Sequence, residues 1–122
     1  GWAGYRQHFI DLAGAWREDY PNLKHMYVFQ IRPRACGMES GDSAHKLREV
    51  QRTLPRYFSN LRAMSTLGIR PTGGCHYPAD GYAQFAELIA PLVERDRDGT
   101  TFDRPIDAPD LRRAYFADAD KK

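Results

Sequence analysis

His25-Met26-Tyr27-Val28-Phe29-Gln30-Ile31 is the stretch on which the fold turns. It is dense in aromatic and β-branched side chains with almost no charge, the pattern of a strand buried on both faces. Residues 32–42 follow as a loop carrying Pro33, Gly37 and Gly41. Residues 43–58 then place Leu47, Val50, Leu54 and Phe58 on one helical face, with Pro55 expected to kink or end the helix early. Residues 61–67 form a second short apolar strand. Strand, helix and strand in that order make a βαβ unit, whose strands run parallel with a right-handed crossover.

Helices flank this unit. On the amino side, residues 3–19 repeat Tyr5, Phe9, Leu12 and Trp16 at helical spacing, with Arg6, Asp11, Arg17 and Glu18 off that face, until Pro21-Asn22 stops the run. On the carboxyl side, residues 79–95 turn Tyr82, Phe85, Leu88, Ile89, Leu92 and Val93 inward, and Asp98-Gly99-Thr100 is a turn. The class is therefore α/β with α-β-α-β-α order around a parallel sheet. Two parallel strands need further neighbours and cover on both faces. The expectation is an incomplete piece, with the other strands mainly upstream. Gly1-Trp2-Ala3-Gly4 running straight into a helix reads the same way.

Composition narrows the function classes. The chain has 122 residues, 42% hydrophobic and 12% aromatic, enough for a packed core. Its formal charge is +2, from 18 basic and 16 acidic residues spread along the sequence, so there is no electrostatic footprint for nucleic acid. No apolar run approaches the length of a membrane span and no signal peptide is visible. Two cysteines allow at most one bridge.

The chemistry concentrates in Gly73-Gly74-Cys75-His76-Tyr77-Pro78-Ala79-Asp80-Gly81-Tyr82. His76 follows a strand and precedes a helix, at the carboxyl end of the strands, where open α/β sheets put their sites. Imidazole is the side chain best suited to moving protons near neutral pH. Asp80 reads as a cap for the third helix. Gly41-Asp42-Ser43 also follows a strand and opens a helix, a tolerable context for a nucleophile, yet helix capping accounts for Asp42 and Ser43.

Cys36 and Cys75 follow the two strands, and neighbouring parallel strands bring such loops side by side. A Cys36–Cys75 disulfide is geometrically allowed. The alternatives are two buried free thiols, or Cys36 approaching His76. Cys36, Cys75 and His76 with His45 or His25 lack metal-ligand spacing, so no metal is expected. Gln30, Arg32, Arg34, Arg48 and Gln51 are the remaining polar candidates, since amides and guanidinium groups bind sugar hydroxyls well. For Arg34 and Arg48 the simpler reading is solvated surface or an ion pair. Tyr77, beside His76, joins Gln30, Arg48 and Gln51 as a candidate substrate-binding residue.

These blocks together resemble the carbohydrate esterases of the SGNH hydrolase superfamily, in the sialate O-acetylesterase and acetylxylan esterase-like group. Ala15-Trp16-Arg17 leading to Tyr27-Val28-Phe29-Gln30 resembles that family's helix–strand passage. Leu47-Arg48-Glu49-Val50-Gln51 resembles its arginine-glutamate-x-glutamine helix, and Cys75-His76-Tyr77 with Gly81-Tyr82 resembles its histidine block. Ala108-Pro109-Asp110-Leu111-Arg112-Arg113-Ala114-Tyr115 resembles its link into a β-rich module.

The resemblance implies a three-layer αβα, flavodoxin-like hydrolase fold. Residues 1–98 would be the carboxyl-terminal part of the esterase domain and residues 99–122 a tail toward a further module. It implies cofactor-free hydrolysis of acetyl esters on a carbohydrate, outside the cytoplasm, by a serine upstream of Gly1 with His76 as catalytic general base and then acid. The partners implied are acetylated carbohydrate and the amino-terminal remainder of the same protein, with no nucleic acid and no membrane. The family carries an aspartate three residues before its histidine, and Gly73 stands there. The acid then comes from elsewhere, or a dyad works alone, or activity is lost and a carbohydrate-binding or assembly module remains.

Overall fold

The computed structural model describes residues 1–32, 42–69 and 76–115. Helix α1 spans Trp2–Asp19, strand β1 Met26–Phe29, helix α2 Asp42–Thr53, strand β2 Leu61–Met64 and helix α3 Ala79–Asp98. The expected α-β-α-β-α order is present, and the chain is mixed α/β. No helix among the described residues is long and apolar enough to cross a membrane.

β1 and β2 pair in parallel, with Met26 opposite Leu61 and Phe29 opposite Met64. The ladder extends one step at each end. Met26 N–H donates to the Asn60 carbonyl at 2.8 Å, and Gln30 N–H donates to the Met64 carbonyl at 2.9 Å. Both strands are shorter than the sequence suggests. Their apolar runs continue beyond the ladder, but Ile31 N–H turns to a side chain of α2 instead.

Alternation along β1 sends side chains to two faces. Met26 and Val28 pack with Phe9 and Ala13 of α1 and with Leu54 and Leu61. Tyr5, Trp16 and Phe58 close that cluster, and the Phe58 ring meets Phe9 edge-on at 5.6 Å. Tyr27 and Phe29 face α3, where Phe29 meets Phe85 edge-on at 4.5 Å and Tyr27 reaches Asp96. Helices therefore cover the sheet from both sides. Leu54, Leu61 and Leu92 are fully buried, and each such side chain contributes roughly 1.5–3 kcal/mol.

Two helical faces differ from the expected ones. On α1 the buried positions are Phe9 and Ala13, while Leu12 is 43% exposed. Ala13 carries only a methyl group, which lets α1 approach its neighbours closely, so the contact stripe turns toward it. On α3 Leu92 is buried and Phe85 half-buried, but Tyr82 is 52% and Leu88 39% exposed. A two-strand sheet is too narrow to cover the whole apolar face of a helix this long.

Helix ends follow local chemistry. α2 gives way at Thr53 to a single 3-10 turn, Leu54–Arg56. The Thr53 hydroxyl donates back to the Glu49 and Val50 carbonyls, and Pro55 has no N–H to continue the α pattern. α3 runs past residue 95 and stops where Gly99 takes φ 73, a left-handed conformation that glycine adopts without strain.

Residues 99–115 hold no helix or strand but are fastened to the α/β unit. Arg95 donates to both Asp107 carboxylate oxygens, at 2.6 and 3.1 Å. Arg52 donates to Asp110, which Arg56 also approaches.

Candidate functional site

Past the carboxyl end of β1, α2 sends two buried side chains into the sheet. Arg48 donates to the Ile31 carbonyl, to the Thr66 hydroxyl at 3.0 Å and to Gln30 Oε1 at 3.2 Å. Gln30 Nε2 donates back to the Arg48 carbonyl at 2.8 Å. Gln51 Oε1 accepts from Ile31 N–H at 2.7 Å, and its Nε2 reaches the Tyr5 hydroxyl at 3.3 Å. Gln30, Arg48, Gln51 and Thr66 are all buried.

This mesh ties both strand ends and α1 to one turn of α2. Arg48 is thus neither solvated surface nor one half of a carboxylate pair: its acceptors are a carbonyl, a hydroxyl and an amide. Burial lowers its pKa from the usual arginine range, and the neighbouring Tyr77 opposes the shift. Gln30, Arg48 and Gln51 spend hydrogen-bonding capacity on one another and on the backbone, which gives them a structural task whatever else they do.

His76 lies just before α3 and is exposed. Among the described residues no carboxylate accepts a hydrogen bond from it. Tyr77 is anchored instead. Its ring meets Phe85 edge-on at 4.8 Å and Tyr82 at 6.2 Å, and the Arg32 guanidinium lies 5.6 Å from its centroid. The Tyr77 hydroxyl is buried with no hydrogen-bond partner among the described residues. An orphaned buried hydroxyl is costly, which marks a place where an incoming polar group would be welcome.

Gly81 makes the anchoring possible. A Cβ there would stand 3.0 Å from Tyr77 Cβ and 3.2 Å from Pro78 Cδ. The segment 76–78 therefore folds directly over the first turn of α3. Asp80 lies within that turn rather than capping it. The N-cap is Pro78, without a side-chain cap, and Asp80 accepts from Gly81 N–H at 3.0 Å. Its charge still sits favourably at the helix amino end.

Ser43 is exposed in the first turn of α2, next to Asp42. Asp42 carries its expected charge for a helix start and pairs with Lys46 at 3.3 Å. Cys36, Cys75, Arg34 and Gly73 lie outside the described residues. The disulfide expectation, and the vacant aspartate position before His76, fall there too.

A second polar centre was not legible as one. Asp96 of α3 has a side chain only 5% exposed. It accepts from the Tyr27 hydroxyl at 3.1 Å, Arg95 Nε at 3.1 Å and Arg62 Nη2 at 3.4 Å. Arg62 Nε lies 3.3 Å from the same carboxylate without the alignment of a hydrogen bond. Burial pushes the Asp96 carboxyl up, but the bonds and charges of Arg95, Arg62 and Tyr27 outweigh it and leave the pKa below the ordinary range. The Tyr27 hydroxyl is pushed up, by burial first and by Asp96 second. The available signal was Arg62 itself: a guanidinium inside an apolar strand needs a carboxylate opposite.

A cleft of about 910 Å³ runs beside β2, between α2, the end of α3 and the tail. His76 is not part of its lining. The cleft and the histidine are separate features. Comparison of the chain with protein-family models, with curated proteins and with solved structures finds no match in any of the three.

Proposed function

We propose that this chain is the histidine-bearing part of a carbohydrate acetylesterase of SGNH type, acting by a serine–histidine mechanism on O-acetyl esters of a sugar. The observation that supports this reading best is the pairing at residues 76–77. An exposed imidazole stands beside a buried tyrosine hydroxyl that has no hydrogen-bond partner among the described residues, near the carboxyl end of two parallel strands. In this reading His76 takes the proton of a serine hydroxyl as it attacks the ester carbonyl, then returns it to the departing sugar oxygen. Tyr77 donates to the bound substrate. The mesh of Arg48, Gln30 and Gln51 holds the strand ends rigid beneath them. The serine comes from a segment outside residues 1–122, because Ser43 fits the first turn of α2 as part of a helix start.

A second reading follows from the absence of a carboxylate on His76 among the described residues. The chain is then a carbohydrate-binding or assembly module that keeps the fold without turnover.

Acetate release from an aryl acetate and from acetylated sugars separates these. The chain alone is expected to show no turnover. Once it is joined to the serine-bearing segment, acetate is released, and His76→Ala lowers kcat/KM by about 10²–10⁴-fold. Binding of acetylated sugar without turnover by the joined protein would establish the second reading instead. Turnover by the 122-residue chain alone, lost in His76→Ala, would contradict the proposal.

A further inference from the structure

The cleft beside β2 has an uncommon electrostatic construction. Arg52 of α2, Arg56 of the following turn, Arg62 of β2 and Arg95 of α3 all line it. Among the described residues, two carboxylates from the α/β unit answer these four arginines: Glu49 on Arg52, at 2.7 Å, and Asp96 on Arg62 and Arg95; Arg48, which also lines the cleft, has none. The balance comes from the tail. Asp107 lies in the fork of Arg95, and Asp110 is met by Arg52, Arg56 and Arg112 together. Two of these guanidinium groups, Arg52 and Arg56, belong to the α/β unit and converge on one carboxylate, an arrangement that suits an anion.

The tail's hold is weak for its appearance. The Arg52, Arg56 and Arg95 side chains are 25–44% exposed, and those of Asp107 and Asp110 are 59% and 35% exposed. Ion pairs this open to water contribute little each and weaken with salt. Lifting residues 107–110 would leave Arg48, Arg52, Arg56, Arg62 and Arg95 facing only Glu49 and Asp96, three positive charges in excess among the described residues. With residues 107–110 forming part of its wall the cleft still holds about 910 Å³, and its accessible apolar lining is Leu67, Pro55 and Ala63, because Leu61, Met64 and Leu92 are buried beneath it. Such a site selects a ligand with two separated anionic groups.

We infer that this cleft is a binding site for a small dianionic ligand, whose two carboxylates take the seats now held by Asp107 and Asp110. The tail is then a tethered competitor that occupies the site until the ligand arrives. Nothing in this inference depends on His76 or on the esterase reading.

The test is calorimetric titration of the whole 122-residue chain with digalacturonate, with cellobiose as its neutral counterpart and with the acetylated, amidated peptide Asp-Ala-Pro-Asp as a tail mimic. Digalacturonate is expected to bind the wild-type chain. Binding should tighten about ten-fold in Asp107→Asn/Asp110→Asn, because a tethered competitor at roughly millimolar effective concentration is removed. Arg52→Gln/Arg95→Gln should abolish it, and cellobiose should not bind. In the wild-type chain, hydrogen exchange at residues 107–112 should speed up as digalacturonate is added, a readout that needs no variant. Three results would overturn the inference: no binding by either the wild-type chain or the aspartate variant, equal binding of cellobiose, or binding of the tail peptide alone. The last would make the cleft a seat for the tail and nothing more.

Discussion

Arg48→Met is expected to remove on the order of 3 kcal/mol or more from the stability of the fold. The substitution keeps a long unbranched side chain, so the loss does not come mainly from an empty volume. It comes from the acceptors left behind. The Ile31 carbonyl, the Thr66 hydroxyl and Gln30 Oε1 all lose their donor at once, and each buried orphan costs roughly 1–3 kcal/mol. A domain of this size has only about 5–15 kcal/mol in hand, so the variant stands near the edge of folding. Arg48→Lys should fall between, because an ammonium cannot span the geometry of a guanidinium fork. Urea denaturation followed by far-ultraviolet circular dichroism measures both. A loss for Arg48→Met below about 1 kcal/mol would mean that water replaces the guanidinium in this mesh.

Asp96→Asn should cost about 1.5–3 kcal/mol at neutral pH, the usual worth of hydrogen bonds to a charged group, because the buried carboxylate that accepts from Tyr27, Arg95 and Arg62 becomes a neutral amide. Arg95 retains Asp107, but Arg62 has no other carboxylate within reach among the described residues. The pH dependence separates this effect from packing. Asp96 titrates below the ordinary range in the folded chain, mainly because Arg95, Arg62 and Tyr27 overcome the opposing effect of burial. A depressed carboxyl contributes its stability in full above the unfolded value of about 3.9 and loses it as pH falls through the folded value. The stability gap between wild type and Asp96→Asn should therefore be present in full at neutral pH and narrow only below about pH 4. A gap that stays constant down to pH 2 would assign the loss to shape rather than charge.

The parts of the fold that depend on local pattern were legible in the sequence. The apolar, aromatic-rich run at residues 26–29 gives a strand, Pro55 ends α2, and Gly99 stops α3. What depends on the partner surface was not. Leu12 and Ala13 offer equally helical spacings, and only the approach of α2 and β1 favours the smaller residue. Tyr82 and Leu88 match the inward stripe of α3 but lie beyond the reach of two strands. For the site, the sequence singles out His76, Tyr77, Gln30, Arg48 and Gln51. The structure reveals how three of them divide their hydrogen bonds. Arg48 reads from sequence as a surface charge because nothing local announces that Ile31, Thr66 and Gln30 converge on it from two strands. The Asp96 centre and the tail aspartates were hidden for the same reason. Their partners are distant in sequence, and long-range ion pairs leave no periodicity.

The central functional claim is that His76 works on a serine outside residues 1–122. Labelling with a serine-directed fluorophosphonate, followed by peptide mapping, tests it most directly. The expected result is no label on the 122-residue chain, and, in a polypeptide that also carries the serine-bearing segment, one labelled serine beyond these residues whose labelling is lost in His76→Ala. His76-dependent label on Ser43 of the chain alone would contradict the account.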